Sequence, residues 1–269
     1  MRDLFFDRVF RSPQTSANYR MGMSHAQLFL ISNLIPVLPD PVTVGEAPMS
    51  PPYEVVWFEW AVGGMLQGAL VLSERVDNDG WMVVILPAAK MGLQKSPMNI
   101  PLGFRFKLDG SGRSATPDKG LVIETGPGVN GTMLENKSDT EIVLAEIFPP
   151  VVFALTMLHC KNVSAIETGG PSVQRGGRSS RSHLRRHHVL QVRPMGGKSV
   201  SNNRGQHESV AMSLHFVRGH FKTYTDDAPL FGRLTGSYWW ESHARGDASV
   251  GIVTKDYNVN SPIGNGDTP

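Results

Sequence analysis

Hydrophobic and polar residues alternate in short runs through residues 53–124, and residues with a turn preference separate these runs. Phe104 and Phe106 would share one face of an extended strand, with basic residues on the other, because successive side chains of a strand point to opposite sides. Asp77–Gly80 has the composition of a tight turn between two apolar runs. The pattern predicts an antiparallel sheet with long loops.

Two further segments have a helical pattern. Residues 24–35 predict a short helix that ends before Pro36. Residues 141–148 and 151–160 predict a second helical segment, which a pair of prolines interrupts. An acidic residue and the two prolines also interrupt its apolar run, so we expect a buried helix rather than a membrane span.

A helix laid against an antiparallel sheet is an α+β arrangement. The predicted fold class is therefore α+β: an antiparallel β-sheet with a central packed helix and a basic C-terminal β-hairpin region. The hairpin would either join the same sheet or form a small second unit.

Composition changes abruptly along the chain and predicts four regions. Prolines and glycines favour loops, and a Gly/Ser/Arg segment without apolar period is typical of a mobile basic linker. The predicted regions are an N-terminal α+β region (1–168), a basic Gly/Ser/Arg linker (169–186), a C-terminal basic-aromatic β region (187–257) and a disordered tail (258–269).

The net charge of +2 conceals an uneven distribution. Residues 1–170 hold 13 Lys and Arg against 17 Asp and Glu, whereas residues 171–269 hold 13 against 7. Seven of the nine histidines also lie in the second part. We therefore expect a basic surface confined to the C-terminal region, which favours an anionic partner.

Cys160 is the single cysteine of the 269 residues, so an intrachain disulfide and a zinc site built on several thiolates are excluded. We expect it to be a small buried hydrophobic residue. The N-terminal residues carry acids where a signal peptide would have an apolar core. These features favour a cytoplasmic protein with no membrane partner.

The candidate site is a cluster of imidazole, cationic and aromatic side chains. Its strand residues are His215, Arg218, His220, Lys222 and Tyr224. The even-numbered residues would share one face, and His215 would join them only if Gly219 marks a bulge. Cations on one face repel each other unless an anion compensates them. That anion would be a bound phosphate backbone or a nearby carboxylate, as in a solvated face with local ion pairs.

Aromatic residues extend this cluster towards the C-terminus. Trp239 and Trp240 must point to opposite sides of a strand, so one is core and the other is a candidate platform for stacking bases. We therefore predict nucleic-acid binding, to RNA or DNA, by a group of six residues: Arg218, Lys222, Arg233, Trp239, Trp240 and Arg245.

Two alternatives remain open at this stage. A metal-independent endoribonuclease would use His215 and His220 as acid and base, assisted by Tyr224, with the cations holding the phosphate. A protein-interaction or regulatory module would use the Tyr, Trp and Arg side chains as an interface. The histidine spacing matches no recognised zinc signature, so no metal site and no cofactor are predicted.

Several motifs of the C-terminal 110 residues resemble a group of proteins, without an assigned activity, that phages, prophages and other mobile elements encode. The motifs are His-Cys-Lys-Asn-Val at 159–163, His-Phe-Val-Arg-Gly-His-Phe-Lys-Thr-Tyr at 215–224, Pro-Leu-Phe-Gly-Arg at 229–233, Tyr-Trp-Trp at 238–240 and His-Ala-Arg-Gly at 243–246. The resemblance implies a bacterial or phage intracellular setting.

Overall fold

The computed structural model describes residues 4–39, 47–76, 80–90, 96–122, 137–169, 185–193, 213–245 and 247–253. Its helices are α1 (Phe5–Arg11), α2 (Ala17–Ser24), α3 (Lys137–Leu158) and a short 3-10 helix (Ile35–Val37). Its first nine strands are β1 (Gln27–Leu30), β2 (Val55–Val62), β3 (Met65–Arg75), β4 (Gly80–Ala89), β5 (Met98–Asn99), β6 (Leu102–Asp109), β7 (Ala115–Val122), β8 (Val163–Thr168) and β9 (His187–Val192). The later strands are β10 (Ser213–Val217), β11 (His220–Tyr224), β12 (Gly236–Trp240), β13 (His243–Arg245) and β14 (Asp247–Val253).

The described part of the chain has an α+β fold built on a nine-stranded mixed sheet. Its strand order is β7-β6-β4-β3-β2-β1-β9-β8, and β5 pairs with β4. Strands β2 to β7 pair antiparallel, which confirms the sheet predicted for residues 53–124. Strands β3 and β4 pair antiparallel, and residues 77–79 of the turn predicted between them lie outside the described residues.

The helix predicted for residues 24–35 is wrong. Helix α2 ends at Ser24, and Gln27–Leu30 forms β1 instead, which pairs parallel with both β2 and β9. Leu28 and Phe29 are both buried, and they belong to different hydrophobic clusters. A strand covered on both faces is apolar throughout, so its short run has no period that separates it from a helix.

The two faces of the large sheet are covered by different helices. On β2, Trp57 packs in a cluster with residues of α1 and α2, whereas its neighbours Val56 and Phe58 pack in a second cluster with residues of α3. Residues 151–157 of α3 are all buried, even though prolines 149 and 150 lie within the helix. No helix among the described residues is long and apolar enough to cross a membrane.

The chain divides into two compact units. The first comprises residues 1–197 and 219–241, and the second comprises residues 198–218 and 242–269. The first unit contains the large sheet and a two-stranded sheet of β11 and β12, and the second contains a three-stranded sheet in the order β13-β10-β14. Strand β9, which lies within the region 187–257, pairs with β1 and β8 of the large sheet. The predicted tail at 258–269 lies outside the described residues, as does most of the predicted linker.

Candidate functional site

Strands β11 and β12 pair antiparallel and separate the aromatic and cationic residues of the first unit into two faces. The register joins His220 to Trp240, Phe221 to Trp239 and Lys222 to Tyr238. Since directly paired residues share a face, two sets result. The inner face carries Phe221, Thr223, Ser237 and Trp239, and the outer face carries His220, Lys222, Tyr224, Tyr238 and Trp240.

The inner face packs into the core of the first unit. The ring of Trp239 lies 5.0 Å from that of Phe153 on α3 and 4.7 Å from that of Phe221, between ring centroids. Trp239 is only 1% exposed. It is therefore a core residue and cannot stack on a base, which corrects its inclusion among the predicted binding residues. Trp240, on the outer face, is half-buried.

The polar segment after α3 holds β12 in place. The side-chain Nδ2 of Asn162 donates to the carbonyl of Trp239 at 2.8 Å, and its Oδ1 accepts from the N–H of Trp239 at 3.0 Å. The N–H of Lys161 donates to the carbonyl of Ser237 at 2.8 Å. These contacts place alternate residues of β12 beside the end of α3, so Trp239 and Ser237 face the core.

Gly219 marks the entry to β11, where the sequence indicated a possible bulge. A Cβ atom at this position would lie 2.6 Å from Cζ2 of Trp239, closer than side chains approach each other. Any other residue here would push the buried indole away from Phe153 and Phe221, so glycine permits the close approach of the backbone to the core ring.

The outer face is a layered group of rings and one ammonium. Tyr238 is 5% exposed, and the ring of Tyr224 meets it edge-on with 5.9 Å between centroids. The Nζ of Lys222 lies 5.0 Å from the centroid of the Tyr224 ring, which is a cation–π contact. Tyr238 therefore supports Tyr224, while Lys222 and the partly exposed Tyr224 can meet a ligand.

Three cations of this region, Lys222, Arg233 and Arg245, form no ion pair with a carboxylate among the described residues. Neither Lys222 nor Arg233 forms an ion pair with a described carboxylate, although Asp226 and Asp227 follow Tyr224 directly. Arg245, in the second unit, likewise pairs with no described carboxylate. Among the described residues, Lys222, Arg233 and Arg245 therefore have no carboxylate that neutralises them.

The predicted site residues are divided between the two units. His220, Lys222, Tyr224, Arg233, Trp239 and Trp240 belong to the first, and His215, Arg218 and Arg245 belong to the second. Within the second unit, His215 and Arg245 are partners in the pairing of β10 with β13, and Arg218 and Arg245 are exposed. The structure thus brings His220, Lys222, Tyr224 and Trp240 together on one face of one unit.

Sequence reasoning missed Phe231 as a functional candidate. It lies in the connection between β11 and β12, two residues before Arg233, and 67% of its surface is exposed. The available signal was an aromatic residue followed by Gly and Arg in a turn-rich segment.

Two nucleophile-bearing groups elsewhere in the first unit are structural. The Nε2 of His159 lies 3.2 Å from Oγ of Ser50 and 2.6 Å from the carbonyl oxygen of Ser50. Because Nε2 must donate to that carbonyl, it cannot also take the hydroxyl proton as a base.

Burial raises the pKa of the Cys160 thiol to about 12, so the unreactive thiol form dominates at neutral pH. Its burial confirms the prediction of a small core residue.

Within the described residues, no three His, Cys, Asp or Glu side chains come close enough together to hold a metal ion.

No protein-family model matches the chain, and no match was found among curated proteins or solved structures.

Proposed function

We propose that the protein binds nucleic acid through the outer face of β11 and β12, in the phage or mobile-element setting that the sequence resemblance implies. The observation that carries this proposal is the arrangement of Lys222 on an aromatic surface without a described carboxylate partner. A cation layered on a tyrosine ring can contact a phosphate while the neighbouring rings contact bases.

Each residue has a distinct role in this proposal. Lys222 and Arg233 contact phosphate oxygens, and Tyr224 and Trp240 contact base faces. His220 pairs with Trp240 in the register, so its imidazole ring lies on the same face as these side chains. Arg218 and Arg245, both exposed, are candidates for phosphate contacts within the second unit by itself.

A salt titration of binding tests the proposal. The binding of labelled RNA and DNA is measured by fluorescence anisotropy between 50 and 200 mM salt, about the range over which several phosphate contacts cost orders of magnitude in affinity. We expect wild type to weaken steeply, and Lys222→Ala to weaken binding and reduce the slope of log K against log salt by about one.

Lys107→Ala is the matched control. Lys107 is exposed on β6, between Phe106 and Leu108, which pack in the same core cluster as Phe221 and Trp239. The side chain of Lys107 therefore projects from the face of the sheet opposite to that of Phe106 and Leu108. This variant loses the same charge and should keep the wild-type slope. Wild-type binding that does not depend on salt, or no binding, would overturn the proposal.

The same oligonucleotides distinguish the enzymatic alternative. A metal-independent endoribonuclease would cleave RNA in EDTA and lose cleavage in His215→Ala and His220→Ala. The two histidines belong to different compact units, and each variant therefore tests one unit.

A further inference from the structure

The connection between β11 and β12 contains a tight, hydrogen-bonded turn formed by Leu230–Leu234, which we call the tip. The N–H of Leu230 donates to the carbonyl of Leu234 at 2.7 Å, and the N–H of Leu234 donates to the carbonyl of Leu230 at 3.0 Å. The N–H of Arg233 also donates to the carbonyl of Leu230 at 3.2 Å. Leu230 is buried, so the base of the tip is anchored while its central residues project.

Phe231 occupies a strained backbone conformation at this tip. Its φ is +54°, and it is the one non-glycine residue of the described chain with positive φ. Gly232 follows with φ of +72°. Two successive left-handed residues are typical of a turn that prefers Asn or Asp followed by Gly, since a bulky side chain is disfavoured there. Phenylalanine is thus an unfavourable choice for the turn itself.

The Phe231 side chain does not offset this backbone strain by packing in the core. It is one of the most exposed large apolar side chains of the described residues and makes no ring contact with another described residue. Strained residues that do not serve packing are concentrated at functional sites, where the surrounding structure holds them in position. The strained backbone and the exposed ring together indicate that Phe231 contacts a ligand rather than the core.

We propose that the Leu230–Leu234 tip is a stacking finger for single-stranded nucleic acid. The ring of Phe231 stacks on one unpaired base, and Arg233 contacts an adjacent phosphate. This inference rests on the nucleic-acid binding proposed above and names its form: a strand with free base faces. In a duplex the faces of interior bases are covered by their neighbours, so stacking there requires base pairs to be unstacked first, whereas an unpaired base offers its face directly.

The charges around the tip favour nucleic acid over a protein partner. Arg233 lies two residues from the ring and forms no ion pair with a described carboxylate, and Lys222 lies on the strand that leads into the connection. The acidic neighbours Asp226 and Asp227 lie at the β11 end of the connection and pair with neither cation. A ring near a guanidinium that has no described carboxylate partner matches a base with its phosphate.

The test compares Phe231→Asn with wild type on a single strand and on the duplex of the same sequence. Asparagine tolerates positive φ, so this variant removes the ring without adding strain. We expect single-strand affinity to fall about 5- to 100-fold, the range of one lost base stack. Duplex affinity and the salt slope should stay at wild-type values, and Tm should not fall. A 2-aminopurine base in the single strand should change fluorescence with wild type and not with Phe231→Asn.

Two further variants control for ring chemistry and exposed apolar area. Phe231→Tyr keeps an aromatic ring and should retain wild-type binding. Met65→Asn removes an exposed apolar side chain at the start of β3 and should leave single-strand binding unchanged.

The outcomes separate this inference from the proposed function. If wild type binds with salt dependence but Phe231→Asn binds single strands equally well, the stacking finger is overturned, the broader binding role stands, and the ring is left for a protein contact. Equal losses on single strand and duplex would also overturn stacking on an unpaired base. If wild type binds neither form, both proposals fail together.

Discussion

The side-chain amide of Asn162 satisfies both backbone hydrogen-bonding groups of Trp239. It does so with contacts of 2.8 Å to the carbonyl and 3.0 Å from the N–H, in the manner of a neighbouring strand. Asn162 is itself buried, and its Nδ2 also lies 3.3 Å from the carbonyl of Arg193 at the end of β9. One amide therefore joins the end of α3, strand β9 and strand β12.

Replacing Asn162 with alanine should destabilise the first unit. The N–H and carbonyl of Trp239 would remain buried without partners, at a cost of about 1–3 kcal/mol for each unsatisfied group. We expect the free energy of unfolding to fall by about 2–4 kcal/mol in denaturant titrations. Asn33→Ala is the control, because Asn33 is exposed and its side chain donates one hydrogen bond, to the carbonyl of Leu190, among the described residues. Equal losses in the two variants would show that the Asn162 contact has no special weight.

Trp240→Phe should preserve both folding and binding. The indole Nε1 of Trp240 is buried without a hydrogen-bond partner among the described residues, so its removal takes away a desolvation penalty. We expect a free energy of unfolding unchanged or raised by up to about 1 kcal/mol, whereas Trp240→Ala should weaken nucleic-acid binding about 5- to 100-fold. Trp239→Phe is the comparison.

The Nε1 of Trp239 likewise has no hydrogen-bond partner within the described part of the chain, but the ring of Trp239 fills the core beside Phe153. The smaller ring of Trp239→Phe would leave a void there, so its unfolding free energy should fall. A clear loss of stability in Trp240→Phe would contradict the assignment of Trp240 to the outer face.

Glu59 should make stability depend on pH. Its carboxylate accepts from the N–H groups of Phe5 and Phe6, which begin α1, at 3.2 and 2.9 Å. Burial nevertheless raises its pKa above the ordinary value of 4.5. The folded state therefore binds the proton more tightly than the unfolded state, and this contribution to stability is present below pH 4.5 and is lost as pH rises through the raised pKa.

Glu59→Gln isolates this contribution because its amide does not titrate. The free energy of unfolding is measured for both proteins in a pH series that starts below 4.5 and rises until the difference between them is constant. The wild-type value minus the variant value should decrease as pH rises through the raised pKa and then level off. A difference that increases with pH would contradict the raised pKa of Glu59.

Local sequence determined much of the strand architecture and the basic-aromatic composition of the site. The alternation around Phe104 and Phe106 placed β6 correctly, because the period of a strand is a property of the backbone. The same rule showed that Trp239 and Trp240 must diverge. It could not say which of them faces the core, since that depends on Asn162 and Phe153, which are distant in sequence.

The tertiary structure alone decided the rest. Residues 27–30 form a strand because β2 and β9 pair with them on either side. A segment of four residues with three apolar side chains does not indicate by itself which strands will pair with it. The division of His215 from His220 between two compact units depends on which strands pair over long distances along the chain. The left-handed backbone of Phe231 likewise follows from the hydrogen bonds between Leu230 and Leu234. A closed turn can hold a residue in a conformation that is unfavourable for its side chain.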